Sequence, residues 1–290
     1  MVAAGVARVV REQSLADFAG DLVFAFRRFV VDGVKADPGC RAKLAALEAL
    51  DFGGHDEVDV FLEATRYVQL EPAWGPPVDS ADGVRSRGVL ALARVWYPQL
   101  SVVAGSLLAD PASPVRQSAA EALASTGEPV HAGALALRWS VGDEDPLVLL
   151  ACMTGLLVLA PDYALPRLRK ALFGADDGGR EMAALALGQS TRSEALDLLL
   201  EHLEAAPVAR ERAATLRALG LQRNDRAIAA LLNVVTTGSV ADAEAALAGL
   251  RTRRFDPGVR DRAAAAVRAH PEAGRLQVAL TRAVREQGEP

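Results

Sequence analysis

Leucines recur along this chain in a steady rhythm. Leu92, Leu123, Leu156, Leu187, Leu219 and Leu250 are separated by 31, 33, 31, 32 and 31 residues. Each belongs to a helix-forming segment: VRSRGVLAL from Val84, DPASPVRQSAAEALA from Asp110, DPLVLLACMTGL from Asp145, GREMAALALG from Gly179, RERAATLRALG from Arg210 and DAEAALAGL from Asp242. A fixed period of this length is the mark of a repeat architecture. A second apolar series follows the first. Twelve residues beyond the anchors lie Leu135, Leu168, Leu199 and Leu231, and sixteen beyond lie Leu108, Trp139, Leu172, Leu203 and Val235. Offsets of 12 and 16 form an i, i+4 pair on one helical face, so each repeat predicts a helical hairpin. Counting from Leu50 in the same way reaches Leu62, which makes RAKLAALEAL and VDVFLEATRY a divergent further hairpin around Gly53 and Gly54. A lone hairpin cannot bury its apolar stripe, whereas stacked hairpins share a core.

Local signals punctuate this pattern. Asp110, Asp145 and Asp242 stand near helix starts, where a carboxylate can accept from free backbone N–H groups and meet the positive end of the helix dipole. Gly188 and Gly220 stand where helix ends are expected and would supply left-handed caps. At the N-terminus Leu15, Phe18, Leu22, Phe26, Phe29 and Val30 fall at helical spacing and predict a capping helix over 15–33, and PEAGRLQVALTRAVREQ predicts one at the other end. Together these features predict a single domain over 1–290. Cap helices occupy 1–35, repeats occupy 40–268 with a Pro-rich loop at 69–83, and a C-terminal cap helix occupies 271–287.

Composition narrows the class. Hydrophobic residues make up 51% of the chain but aromatic residues only 5%, so the apolar content is mainly Ala, Leu and Val and favours helix over sheet. Cys40 and Cys152 sit far apart within apolar stretches, as small buried residues do. Arg8 and Arg11 precede any apolar run long enough for a signal peptide, and no segment approaches the length of a membrane span. The expectation is a soluble cytoplasmic protein. The net charge of -5 is uneven, because residues 207–290 carry 14 basic and 9 acidic groups while residues 1–80 carry 8 and 13.

The Asp-Pro-x-x-Val-Arg-then-Ala run, seen in DPASPVRQSAAEALA and again in DPGVRDRAAAAVRA from Asp256, resembles the bacterial HEAT repeat of the phycobilisome-lyase type. The resemblance covers about residues 84–268 and more weakly 40–68. It implies an all-α fold, a right-handed alpha-alpha superhelix of about six to seven helical hairpins whose second helices line the concave side. It also implies a scaffold or protein-binding role more often than an enzymatic one. The run at Asp256 departs from the register, falling 17 residues after Leu250, where a second helix is due.

Three kinds of chemistry can be tested on the residues. A di-iron hydroxylase of helical-repeat type needs His-Glu pairs on successive helices, but His55, His131, His202 and His270 are scattered and none precedes Glu, so neither a metal site nor a cofactor is expected. A DNA alkylation-repair protein needs a basic face. The second-helix positions read Leu137, Lys170, Glu201 and Asn233, then Ser140, Phe173, Glu204 and Thr236, which is a mixed ladder that argues against nucleic acid. A bilin lyase-like enzyme remains the further alternative, although no nucleophile–base pair stands out.

The expected role is therefore a non-catalytic interaction or scaffold module for a protein or peptide partner. Its contacts are expected along the concave face, with Lys170, Glu201 and Asn233, or at the segment QLEPAWGPPVDSADG. There Pro72, Pro76 and Pro77 forbid helix and Trp74 offers a large amphipathic surface beside Glu71 and Arg66. The competing reading has Trp74 folded back to fill a gap between repeats. Trp96 and Trp139, within the helical pattern, are expected in the core.

Overall fold

The computed structural model describes residues 2–12, 18–206, 209–222, 224–251 and 256–277. The chain divides into two compact units, Met1–Leu159 and Ala160–Pro290. The first contains α1 (Val2–Glu12), α2 (Ala19–Val30), α3 (Gly33–Ala36), α4 (Arg41–Phe52), α5 (Val58–Thr65), β1 (Leu70–Ala73), β2 (Gly75–Asp79), α6 (Asp82–Arg94), α7 (Leu100–Leu107), α8 (Ser113–Ser125), α9 (Ala132–Val141) and α10 (Pro146–Leu159). The second contains α11 (Pro161–Leu172), α12 (Asp177–Gln189), α13 (Ser193–Ala205), α14 (Ala209–Leu221), α15 (Asp225–Thr237), α16 (Val240–Leu250) and α17 (Pro257–Ala269). The fold is an all-α repeat.

Each unit is organised by a row of first helices. In the first unit α6 packs on α8 and α8 on α10, and in the second α12 packs on α14 and α14 on α16, while the second helices α11, α13 and α15 touch one another sparingly. All six anchor leucines are buried, as are Leu135, Leu168, Leu199 and Leu231. Fully burying a leucine side chain contributes about 1.5–3 kcal/mol, so this shared seam is the main source of cohesion within each unit. α1 and α2 cover α4 at the start of the first row, and α2 does so by burying Leu22 and Phe26. Leu15 lies outside the described residues, as does 278–290, which holds most of the expected C-terminal cap helix.

The first helices approach closely because their facing positions are small. A methyl group on Gly188 would meet the Ala218 carbonyl oxygen at 2.7 Å, and one on Gly155 would meet Ala124 Cβ at 2.9 Å. Gly188 and Gly220 lie inside α12 and α14 with ordinary negative φ, not at left-handed helix ends. The expectation of glycine caps is corrected: these glycines permit helix–helix contact.

Adjacent repeats are also joined by arginines. Arg85 Nε donates to Asp110 at 2.8 Å, Arg116 Nε to Asp143 at 2.8 Å and Arg212 Nη2 to Asp242 at 2.7 Å, each pair spanning neighbouring hairpins. Asp110 and Asp242 are thus arginine partners; Asp110 also accepts from the Ala112 N–H at 2.9 Å, as expected at the start of α8, whereas at α16 it is Ser239 that caps the helix. Asp145 does accept from the Leu147 N–H at 2.9 Å, as expected at the start of α10. α17, which begins at the displaced Asp-Pro motif, packs chiefly on α15 and so takes a second-helix place.

The segment expected as an irregular Pro-rich loop is instead an antiparallel β-hairpin, with Leu70 opposite Asp79 and Glu71 opposite Val78. Proline excludes helix but is compatible with an extended strand whose N–H faces solvent. Two isolated strands are marginal in water, and the base of this hairpin is held by side chains, described next.

Candidate functional site

The hairpin rises from a network of polar side chains. Glu71 accepts from the Gly39 N–H at 2.6 Å, from Ser80 Oγ at 2.6 Å and from Gln69 Nε2 at 2.7 Å. Gln69 Nε2 also donates to the Asp37 carbonyl at 3.0 Å, and Tyr67 donates to Gln69 Oε1 at 2.7 Å. These donors, led by Ser80, hold the Glu71 carboxyl below the usual carboxylate range. On the other strand Asp79 accepts from the Gln69 and Ala81 N–H groups and pairs with Arg85 at 2.7 Å. Glu71, expected beside Trp74 as a contact, has its carboxylate occupied, and it ties the hairpin to the turn before α4.

Trp74 stands at the tip, flanked by Gly75 at φ +140°, a conformation that suits glycine. Its exposure of 109% excludes the folded-back arrangement. Leu70, Val78 and Val68 are also exposed on or beside the hairpin. Pro72, Pro76 and Pro77 remove backbone donors from both strands, which blunts them against the addition of a third strand. The surface left for contact is therefore side-chain surface, with Trp74 its largest part.

The remaining expected residues are placed as follows. Arg66 caps the end of α5 and is exposed, and no hydrogen bond or ion pair among the described residues joins it to Trp74 or Glu71. Lys170 on α11, Glu201 on α13 and Asn233 on α15 are all exposed on successive second helices of the second unit. Glu201 is paired with Arg169, and the neighbouring Arg226 with Asp197 at 2.9 Å. A shallow groove of about 380 Å³ between α11 and α13 is lined by Leu165 and Leu198 with Glu194, Asp197 and Glu201. This face is mixed in charge, as its residue ladder suggested.

Cys40, Cys152, His131, His202 and His270 are all buried. Burial pushes the Cys152 thiol up to about 12 and raises that of Cys40, and both cysteines are free. His131 bonds Ser101 at 2.8 Å, His202 bonds Thr215 at 2.8 Å, and His270 Nε2 lies 3.0 Å from the Gly238 carbonyl. Among the described residues no three His, Cys, Asp or Glu side chains gather as a metal site, and no helix is long and apolar enough to cross a membrane. Trp139 is half-buried. Trp96, expected in the core, is 63% exposed and adopts φ +54° after α6. It occupies the left-handed position that ends the helix, with the Tyr97 N–H donating to the Leu92 carbonyl, and that geometry turns its ring outward.

Residues 134–220, from within α9 to α14, match the family described as HEAT repeats. The chain carries HEAT repeats there. Two solved structures resemble this HEAT-repeat chain. One is the complex of CpcE and CpcF of phycocyanin lyase from Nostoc sp. PCC7120, at 17% identity, covering 83% of this chain and 92% of that one with a TM-score of 0.44. The other is YibA of E. coli, at 15% identity, covering 96% and 97% with a TM-score of 0.46. No curated protein matches the HEAT-repeat chain.

Proposed function

We propose that this HEAT-repeat chain is a non-catalytic interaction module that engages a partner protein through Trp74. The observation that carries this reading is a fully exposed tryptophan at the tip of a hairpin whose base is fixed by Glu71, Gln69 and Ser80. A large side chain presented on a rigid support loses little entropy on binding, and tryptophan is enriched among residues that dominate interface energies. Exposing so much apolar area without a partner is a liability. The second helices α11, α13 and α15 offer a further surface, with Lys170, Glu201 and Asn233. Its mixed charge supports a protein rather than a nucleic acid as the ligand. Two buried, unpaired cysteines suit a reducing compartment such as the cytoplasm.

The reading is tested by co-purification from the native cell with wild-type and Trp74→Ala chains of equal helical content. The expected result is a specific partner retained by the wild type and lost from Trp74→Ala. Equal retention by both would remove the hairpin from the interface. A bilin lyase-like activity would instead appear as transfer of a bilin to the captured protein.

A further inference from the structure

An open groove of about 1180 Å³ lies in the first unit among α1, α2 and α4. Arg8 comes from α1, Arg28 and Phe29 from α2, and Arg41 and Leu44 from α4, with Glu48 one turn further along. The groove has an apolar floor, contributed by Phe29, Leu44 and small alanines, and an arginine from each of its three helices.

What sets these arginines apart is that no described residue bonds or pairs with their side chains. Arg85, Arg116 and Arg212 are bound to aspartates between repeats, and Arg27, next to Arg28, pairs with Glu63 at 3.4 Å. Arg8, Arg28 and Arg41 are exposed and have no hydrogen-bonding or carboxylate partner among the described residues. The acidic groups on the groove do not neutralise them. The carboxylate of Asp37 is taken by Lys43 at 3.1 Å and by the Ala42 and Lys43 N–H groups, and Glu48 faces Arg87 at 4.0 Å. Three like charges gathered around one concavity repel each other, and a bound anion relieves that repulsion.

We propose that this groove binds a short acidic segment of a partner protein, its carboxylates on Arg8, Arg28 and Arg41 and an apolar side chain against Phe29 and Leu44. Guanidinium groups match carboxylates in a two-bond fork, and the apolar floor gives the segment a second means of recognition. The volume exceeds the roughly 300–1,000 Å³ of ordinary small-molecule pockets, and the site is open, as an extended chain requires. Nucleic acid is disfavoured by its setting, since residues 1–80 carry 13 acidic against 8 basic groups and a long polyanion would meet that excess.

The test is fluorescence anisotropy of the full chain with a labelled peptide of glutamates around one central leucine. Saturable binding is expected at low salt, weakened at least about tenfold in the Arg8→Gln, Arg28→Gln, Arg41→Gln triple variant. The exposed Arg262→Gln variant serves as the charge control and is expected to bind as the wild type does. Trp74→Ala is expected to bind the peptide unchanged, so this site and the hairpin succeed or fail separately. Circular dichroism checks that the triple variant is folded. Absence of saturable binding at low salt, or equal binding by the folded triple variant, overturns the proposal. So does tighter, triple-variant-sensitive binding of single-stranded DNA or of phosphatidylserine vesicles, because the ligand class would then be another.

Discussion

Gly188 of α12 lies against the backbone of Ala218 in α14, so close that any side chain at 188 would strike the Ala218 carbonyl oxygen at 2.7 Å. This contact sets the spacing of the first-helix row in the second unit. Gly188→Ala is expected to cost about 1–3 kcal/mol through overpacking. Gly105→Ala, in α7 with open space around it, should instead stabilise by about 0.5–1 kcal/mol, the ordinary helix preference of Ala over Gly. Urea denaturation of both variants checks the pair. A mild effect at 188 would mean that the helices can separate at little cost.

A second prediction concerns Trp96, which holds φ +54° where glycine is favoured. A left-handed conformation costs a non-glycine residue about 1–2 kcal/mol. Because the ring is largely exposed, little packing offsets that cost, and Trp96→Gly should raise the melting temperature of the chain. A lowered melting temperature would show that the indole packs more than its exposure implies.

How much of this was legible beforehand depended on the range of the interaction. The anchor leucines reported the hairpins faithfully, because burial at a constant period leaves a one-dimensional trace. Gly188 and Gly220 did not report their role, since a small residue late in a helix reads equally as a left-handed cap or as a point of close approach. Asp110 and Asp242 showed their place near helix starts but not their arginine partners, which lie 25 and 30 residues away in sequence. The prolines of 70–79 excluded helix correctly but carry no signal for pairing, which comes from Glu71 and Asp79 at the hairpin base. Trp74 was singled out by its setting, whereas Arg8, Arg28 and Arg41 come together only once three helices have packed.

Acid stability should depend on Asp143. Its carboxylate is buried, bonded to Arg116 at 2.8 Å and also to Arg138, and the Arg116 hydrogen bonds hold its pKa far below the usual range. A depressed folded pKa contributes stability that is present above the unfolded value of about 3.9 and lost as the pH falls towards the folded one. The wild type should therefore weaken below about pH 4. Asp143→Ala should lose about 3–5 kcal/mol at neutral pH, because buried Arg116 loses its buried carboxylate and keeps only the exposed Glu144 and two backbone carbonyls, and should show a flatter acid limb in melts against pH.

His202 should add a second pH dependence, at milder acidity. Burial lowers its pKa, with Arg180 nearby adding to the effect, and the ring bonds Thr215 at 2.8 Å. In the unfolded chain the ring takes a proton near pH 6.5 that the folded one resists, so stability falls as the pH drops below about 6.5. His202→Gln should flatten the curve between about pH 6.5 and 5. An unchanged slope would place the titration elsewhere.

The claim that Trp74 meets a partner is tested most directly by a photo-crosslinking group placed at position 74 in the native cell. A matched group at exposed Val158 on the first helix α10 serves as the control. The account predicts one discrete cross-linked protein from position 74 that is absent from position 158. No product at 74, or the same products from both positions, would contradict it.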